Sequence, residues 1–118
     1  MKIREIKALG LRHGTPEGGW SNELTQEDCV HTLIAVSTDE GVTGLGSVFT
    51  NDNLVKSSLE VMKDLYVGEN ALEPERVSEK LHQHTFWLGR GGSLTHTISG
   101  IDIALWDIAG KYFGVPCY

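Results

Sequence analysis

The segment Ser99-Gly100-Ile101-Asp102-Ile103-Ala104-Leu105-Trp106-Asp107-Ile108-Ala109-Gly110-Lys111 is apolar on two opposite faces, and it restricts the fold more than any other stretch of this chain. On a helical wheel of about 100° per residue, Ile98, Ile101, Leu105, Ile108 and Tyr112 form one stripe. Ile103, Trp106, Gly110 and Phe113 form a second stripe on the far side, and Asp102, Asp107 and Lys111 stand on the flanks. A helix at the surface of a small domain needs one apolar stripe, whereas a helix with two is held between two layers. The rest of the chain supplies one layer. The second is expected outside these 118 residues.

Upstream, the pattern is first that of strands and then that of helices. Lys2 to Leu11 reads as a strand without clean alternation. His13 to Asp28 is a polar loop with Gly14, Pro16, Gly18 and Gly19. Cys29 to Thr38 alternates with β-branched residues at period two, so it is a strand. Asp39-Glu40-Gly41 is a tight turn with glycine available for positive φ. Val42 to Phe49 returns as a third strand, thinned by Gly44 and Gly46. Thr50, Asn51 and Asp52 offer N-cap oxygens to a helix whose stripe is Leu54, Val61, Met62 and Leu65, a core face that Gly68 can end. Pro74 suits the first position of a second helix, which carries Val77 and Leu81 and fades between Phe86 and Gly89. After the break Gly89-Arg90-Gly91-Gly92, Ser93 or Thr95 caps the last helix, which runs to Gly114-Val115-Pro116. Strands first and helices afterwards predict an α+β fold: a three-stranded antiparallel meander followed by a helical bundle, in one domain over 1–118.

Composition narrows the function. Net charge is −6 with no basic cluster, which argues against nucleic acid and against an anionic membrane as partners. No apolar run approaches the roughly 20 residues of a membrane span, and the start Met1-Lys2-Ile3-Arg4-Glu5 lacks the apolar core of a signal peptide. Cys29 and Cys117 fit no metal or redox spacing, which points to a reduced, cytoplasmic protein.

The last helix also carries a recognisable word. Ser99-Gly100-Ile101-Asp102, Ala104-Leu105, Asp107-Ile108, Gly110-Lys111 and Pro116 together resemble the N-terminal signature of the mandelate racemase/muconate lactonizing enzyme family, part of the enolase superfamily. The sequence departs from it at Thr97, where the signature favours Ala, and at Cys117, where it favours an aliphatic residue. The resemblance covers nearly the whole chain and implies a capping domain over a (β/α)-barrel that follows in sequence. It implies that the barrel's acidic residues bind Mg²⁺, that the metal holds a substrate carboxylate and that barrel lysines or histidines remove the α-proton. None of those positions is in this chain, so no catalytic residue, metal ligand or cofactor site is assigned to it. The implied partners are the barrel, a small carboxylate or acid-sugar substrate and further copies of the protein in a homo-oligomer.

Candidate sites follow from loop chemistry. A structureless loop as long as His13 to Asp28 is functional or mobile in compact domains, and Trp20 in it can close over a ligand or fold back on the domain. His13, Thr15, Glu17 and Trp20 are its candidate substrate contacts, and the resemblance implies that this loop closes over the barrel mouth. Phe49 and Asn51 lie where the family places a second specificity loop, beside the simpler role of Thr50, Asn51 and Asp52 as caps. Gly89-Arg90-Gly91-Gly92 offers backbone N–H groups and a guanidinium, yet lacks P-loop spacing; it serves as a flexible connection, or Arg90 pairs with a carboxylate across an interface or in an acid substrate. Ile103, Trp106 and Phe113, with Arg90, are the expected interface residues. Asp102 and Asp107 point to different sides of a helix and are structural; Asp107 and Lys111, four apart, pair with each other. The five histidines make no ligand set, since His82 and His84 are split across a helix and His82 and His96 fall at surface or interface positions.

Two functions are consistent with these features. One is the capping domain of an enolase-superfamily enzyme of the acid-sugar dehydratase or racemase/epimerase type, inactive without its barrel. The other is a free-standing α+β interaction module that self-associates through its last helix.

Overall fold

The computed structural model describes residues 1–12 and 30–118. Along the chain come β1 (Ile3–Gly10), β2 (Thr32–Thr38), β3 (Thr43–Val48), α1 (Asp52–Tyr66), α2 (Pro74–Thr85), a 3-10 turn (Phe86–Leu88) and α3 (Gly92–Phe113). The expected α+β class is correct; β1 and β3 are one residue shorter at each end than expected, and β2 begins later but ends at Thr38 as expected. The sheet has order β1-β2-β3 and both pairings are antiparallel. Gly41 takes φ +80° in the turn between β2 and β3, a conformation that glycine adopts without a Cβ penalty. On β2, Thr32, Ile34, Val36 and Thr38 point inward and are buried, as period-two alternation requires. Helices cover that inner face, and the core joins it to one side of each helix: Val55, Leu59 and Met62 from α1, Val77 and Leu81 from α2, Ile98, Ile101, Leu105 and Ile108 from α3.

The phase of α1 differs from the one expected. Its buried residues are Val55, Ser58, Leu59, Met62 and Tyr66, while Leu54 and Val61 are exposed and Leu65 is only partly covered. The spacing 55-59-62-66 is one continuous helical stripe, and Leu54 and Val61 sit one position behind it. Apolar identity alone cannot separate the two stripes, because the true one includes the hydroxyls of Ser58 and Tyr66. Ser58 satisfies its own by donating to the Leu54 carbonyl at 2.8 Å.

α3 shows both expected faces, with two corrections. Ile98, Ile101, Leu105 and Ile108 are buried, but Tyr112 is half exposed because the sheet ends before the last helical turn. The N-cap is Gly91, without a side-chain cap, rather than Ser93 or Thr95, which lie within the helix. Thr97, the departure from the family word, is fully buried and donates its hydroxyl to the Ser93 carbonyl at 2.7 Å, so the extra polar group is satisfied within the helix.

Helix α3 lies on β3 at backbone distance. A Cβ on Gly44 would stand 2.1 Å from the Ala104 carbonyl oxygen, and one on Gly46 would stand 2.1 Å from that of Gly100. The glycines that thin the third strand in sequence are thus what lets the helix approach. β3 is an edge strand, and α3 also bonds its free side. Asp107 Oδ2 accepts the Leu45 N–H at 2.9 Å, and Lys111 Nζ donates to the Thr43 carbonyl at 2.8 Å. The two side chains pair with each other at 2.7 Å, as their spacing predicts.

At the opposite end, the segment after α1 pairs with the start of β1: Ile3 N–H donates to the Glu69 carbonyl at 2.9 Å and Gly68 N–H to the Ile3 carbonyl at 2.8 Å. Gly68 follows the helix end with φ +86°. Glu69 receives Arg76 at 2.8 Å and also Lys80, both from α2, and these bonds anchor the connection.

Candidate functional site

The candidate residues on the described part of the chain fall in three places. His13, Thr15 and Trp20, with Glu17, lie outside the described residues.

The first place is the turn from β3 into α1, which brings Phe49 and Asn51 together. Asn51 is the N-cap of α1 with φ −66° and ψ 142°, and its Oδ1 accepts the Asn53 N–H at 2.9 Å. Of Thr50, Asn51 and Asp52, expected as caps, Asn51 is the N-cap, and Asp52 Oδ1 also accepts the Asn53 N–H at 3.0 Å. Phe49 is half exposed, and its ring meets the His31 ring edge to face, with centroids 5.0 Å apart. Two successive carbonyls of the turn are held by side chains from other elements. His96 Nδ1, on α3, lies 3.1 Å from the Phe49 oxygen, and buried Thr32 on β2 donates its hydroxyl to the Thr50 oxygen at 2.9 Å. Thr50 Oγ1 and Ser93 Oγ lie 3.2 Å apart, a third tie to α3. Thr32, Ser93 and His96 were not legible as parts of this turn. They stand 18 to 47 residues from their partners, and no local motif signals such pairs.

The second place is the outer side of α3. Ile103, Trp106 and Phe113 are 51%, 42% and 64% exposed, in the positions expected for an uncovered face. Clefts of about 510 and 540 Å³ flank the Trp106 indole, which lines both. Leu45 and Cys117 border the first, and Cys117 Sγ reaches the Trp106 carbonyl at 3.4 Å. Leu45 adds β3 to this face, which the helical wheel alone did not show. Asp102 and Asp107 are structural as expected: Asp102 accepts the Ser78 hydroxyl at 2.8 Å and Asp107 holds β3. The Lys111 ammonium and then the Leu45 N–H keep the Asp107 carboxyl below the usual aspartate range.

The third place is the tip between α2 and α3. Gly89 and Gly92 take φ +122° and +70°, as in a glycine-built connection. Arg90 makes no hydrogen bond or ion pair among the described residues and lines a cleft of about 600 Å³ with Phe86 and Thr95. His82 borders the same cleft, while His84 turns its Nδ1 to the Lys80 carbonyl at 2.9 Å.

Chemically, the turn offers an ordered aromatic, an amide and fixed backbone, which suit contact with a ligand rather than bond making. Among the described residues no three His, Cys, Asp or Glu side chains come together to hold a metal ion, so no metal chemistry is derived from them. No helix among them is long and apolar enough to cross a membrane.

Comparison with known proteins agrees with this architecture. The family profile "Mandelate racemase / muconate lactonizing enzyme, N-terminal domain" matches residues 22–118. A D-xylonate dehydratase of Haloferax volcanii is 41% identical over 125 residues, covering 98% of this chain and 30% of the relative. A D-galactonate dehydratase family member of Paenibacillus sp. (strain JDR-2) is 36% identical over 99 residues, 80% of this chain and 24% of the relative. The crystal structure of a putative dehydratase from Zymomonas mobilis ZM4 superposes with a TM-score of 0.77 at 33% identity, over 99% of this chain and 28% of that one. The chain thus spans 24% to 30% of the length of these relatives.

Proposed function

Because this chain belongs to the mandelate racemase/muconate lactonizing enzyme family, as its N-terminal domain, we propose that it caps a (β/α)-barrel and helps to select an acid sugar for dehydration or epimerisation there. The observation that carries this is the outer face of α3. A domain that leaves Ile103, Trp106 and Phe113 uncovered beside Leu45 has an apolar side built to meet more protein. The relatives are three to four times as long, so a further domain is available to cover it. The names of the relatives favour a hydroxylated carboxylate, D-xylonate or D-galactonate in type, as the substrate class.

In this proposal Mg²⁺ and the bases would belong to the barrel, where the metal would supply electrostatic stabilisation of developing negative charge on the substrate. The domain described here contributes walls. Phe49 and Asn51 face the barrel mouth, and His13, Thr15 and Trp20 are the further proposed substrate contacts. Ile103, Trp106 and Phe113 dock on the barrel, and Arg90 meets a carboxylate at an interface. The full-length protein acts as a homo-oligomer in the cytoplasm. The alternative of a free-standing module that self-associates through α3 finds no support, since the matching segments of the relatives are parts of longer chains.

The test is to express the full-length protein, supply Mg²⁺ with D-xylonate and D-galactonate, and follow the 2-oxo acid product and deuterium exchange at C2. Dehydration removes the C2 proton and the C3 hydroxyl as water and leaves a 2-oxo acid, while epimerisation exchanges C2 without loss of water. Either signal supports the proposal. Neither signal with these sugars or their epimers overturns it.

A further inference from the structure

The turn that carries Phe49 and Asn51 is held more firmly than a cap requires. One side chain, Asn51, suffices to start α1. Yet the carbonyls of Phe49 and Thr50 are each held by another element, and the Thr50 hydroxyl is tied to a third residue. Two of these ties, from His96 and Ser93, come from the first two turns of α3. We infer that His96 is a positioning residue for substrate selection: its Nδ1–H fixes the Phe49 carbonyl and so sets where the Phe49 ring and the Asn51 amide stand.

The chemistry of the contact assigns the proton. A carbonyl oxygen only accepts, so the ring nitrogen 3.1 Å from it must be the one that carries hydrogen. His96 itself is exposed and lies outside the apolar core, and its side chain reaches the Phe49 carbonyl. The chain segment it holds is exposed as well: Phe49 is half exposed, and its ring meets that of His31 edge to face. An exposed aromatic on a backbone fixed at two successive carbonyls is preorganised for a ligand, because the ordering cost is met before binding. His96 lies on the same helix whose outer face carries Trp106. Docking of α3 and placement of the turn therefore share one rigid element.

This inference rests on the proposal that the turn faces the substrate, and two measurements on the full-length protein separate them. His96→Ala removes the donor at a helical position that favours alanine, so folding is retained. His96→Asn keeps an N–H donor where Nδ1 stood. Hydrogen–deuterium exchange of the amides from 50 to 53 tests the positioning alone. His96→Ala should raise exchange there by about fivefold, leave the α2 amides unchanged, and be reversed in His96→Asn. Kinetics with whichever of D-xylonate and D-galactonate is turned over tests selection. His96→Ala should raise KM by about fivefold to tenfold with kcat within about twofold, as expected when ground-state placement is lost, and His96→Asn should restore KM. Unchanged exchange in His96→Ala, or an Asn variant no better than Ala, overturns the positioning role. Altered exchange with unchanged KM overturns the role in selection. A wild-type protein inactive on both sugars instead counts against the capping proposal, and the exchange result still decides the positioning.

Discussion

Gly46 on β3 and Gly100 on α3 meet backbone to backbone, with no room for a side chain between them. A Cβ added at Gly46 would stand 2.1 Å from the Gly100 carbonyl oxygen, whereas one added at Gly100 first meets the Val48 Cγ2 at 2.4 Å and the Ile34 Cδ1 at 2.8 Å. The first obstacle is helix backbone; the second is two side-chain methyls, with the Ser47 carbonyl oxygen farther off at 3.1 Å.

That difference ranks two substitutions. Gly46→Ala must push α3 off the sheet and should cost at least about 1–3 kcal/mol, the usual range for overpacking. Gly100→Ala crowds the Val48 and Ile34 methyls but meets no backbone atom closer than 3.1 Å, and it gains about 1 kcal/mol of helix propensity, so it should cost less. Urea unfolding with unchanged m-values measures both. A Gly46→Ala midpoint at or above that of Gly100→Ala would show that the helix is not seated on the strand backbone.

Leu54 and Leu59 make a matched pair on α1. Leu59 is buried and Leu54 is half exposed. Leu59→Ala should destabilise by about 2–5 kcal/mol and Leu54→Ala by no more than about 0.5 kcal/mol. Thermal or urea unfolding of the two variants decides which stripe faces the core. Equal losses would favour the stripe of Leu54, Val61, Met62 and Leu65.

Two carboxylates shape the acid limb of stability. Lys80 and Arg76 hold Glu69 below its ordinary value of 4.5, and Lys111 with the Leu45 N–H holds Asp107 below its ordinary value of 3.8. A carboxyl depressed in the folded state contributes stability above its unfolded value and loses it as pH falls through its folded value. The wild-type protein should therefore keep its full contribution from both groups at pH above about 5 and lose it progressively below pH 4.5 and 3.8. Glu69→Gln and Asp107→Asn should each be less stable near neutrality and show a shallower fall. Denaturation midpoints between pH 7 and pH 3 give the comparison, and parallel curves for wild type and variants would refute the linkage.

The outer face of α3 predicts behaviour in solution. In the 118-residue domain alone, Trp106→Glu should reduce concentration-dependent association in sedimentation, because it breaks the apolar face at its centre. In the full-length protein the same substitution should lower the melting temperature if α3 is covered as proposed, since it would place a charge in a buried apolar contact. Identical sedimentation of variant and wild type would argue that this face attracts nothing.

How much of this was legible in sequence depended on how far apart the cooperating residues lie. The α3 faces follow from one helix of known period, so Ile98, Ile101, Leu105 and Ile108 were found inside and Ile103, Trp106 and Phe113 outside. The family word and the meander were legible for the same local reason. Phase failed on α1, where Ser58 and Tyr66 complete the buried stripe and apolar Leu54 and Val61 do not. Gly44 and Gly46 looked like weak points of a strand because what they admit, the backbone of α3, is more than fifty residues away. The candidate turn was located by its capping residues, but its supports Thr32, Ser93 and His96 act at long range and leave no spacing to recognise.

The hydrogen bonds from Asp107 and Lys111 to β3 bear on how this domain joins anything else. A bare strand edge accepts almost any extended chain, because backbone pairs with backbone whatever the side chains are. Here Leu45 N–H and Thr43 C=O are already engaged by α3. A neighbour arriving on that side must fit Leu45, Ile103 and Trp106 as shapes. Attachment there is thereby made to depend more on particular side chains than on backbone pairing, so it can be tuned one substitution at a time.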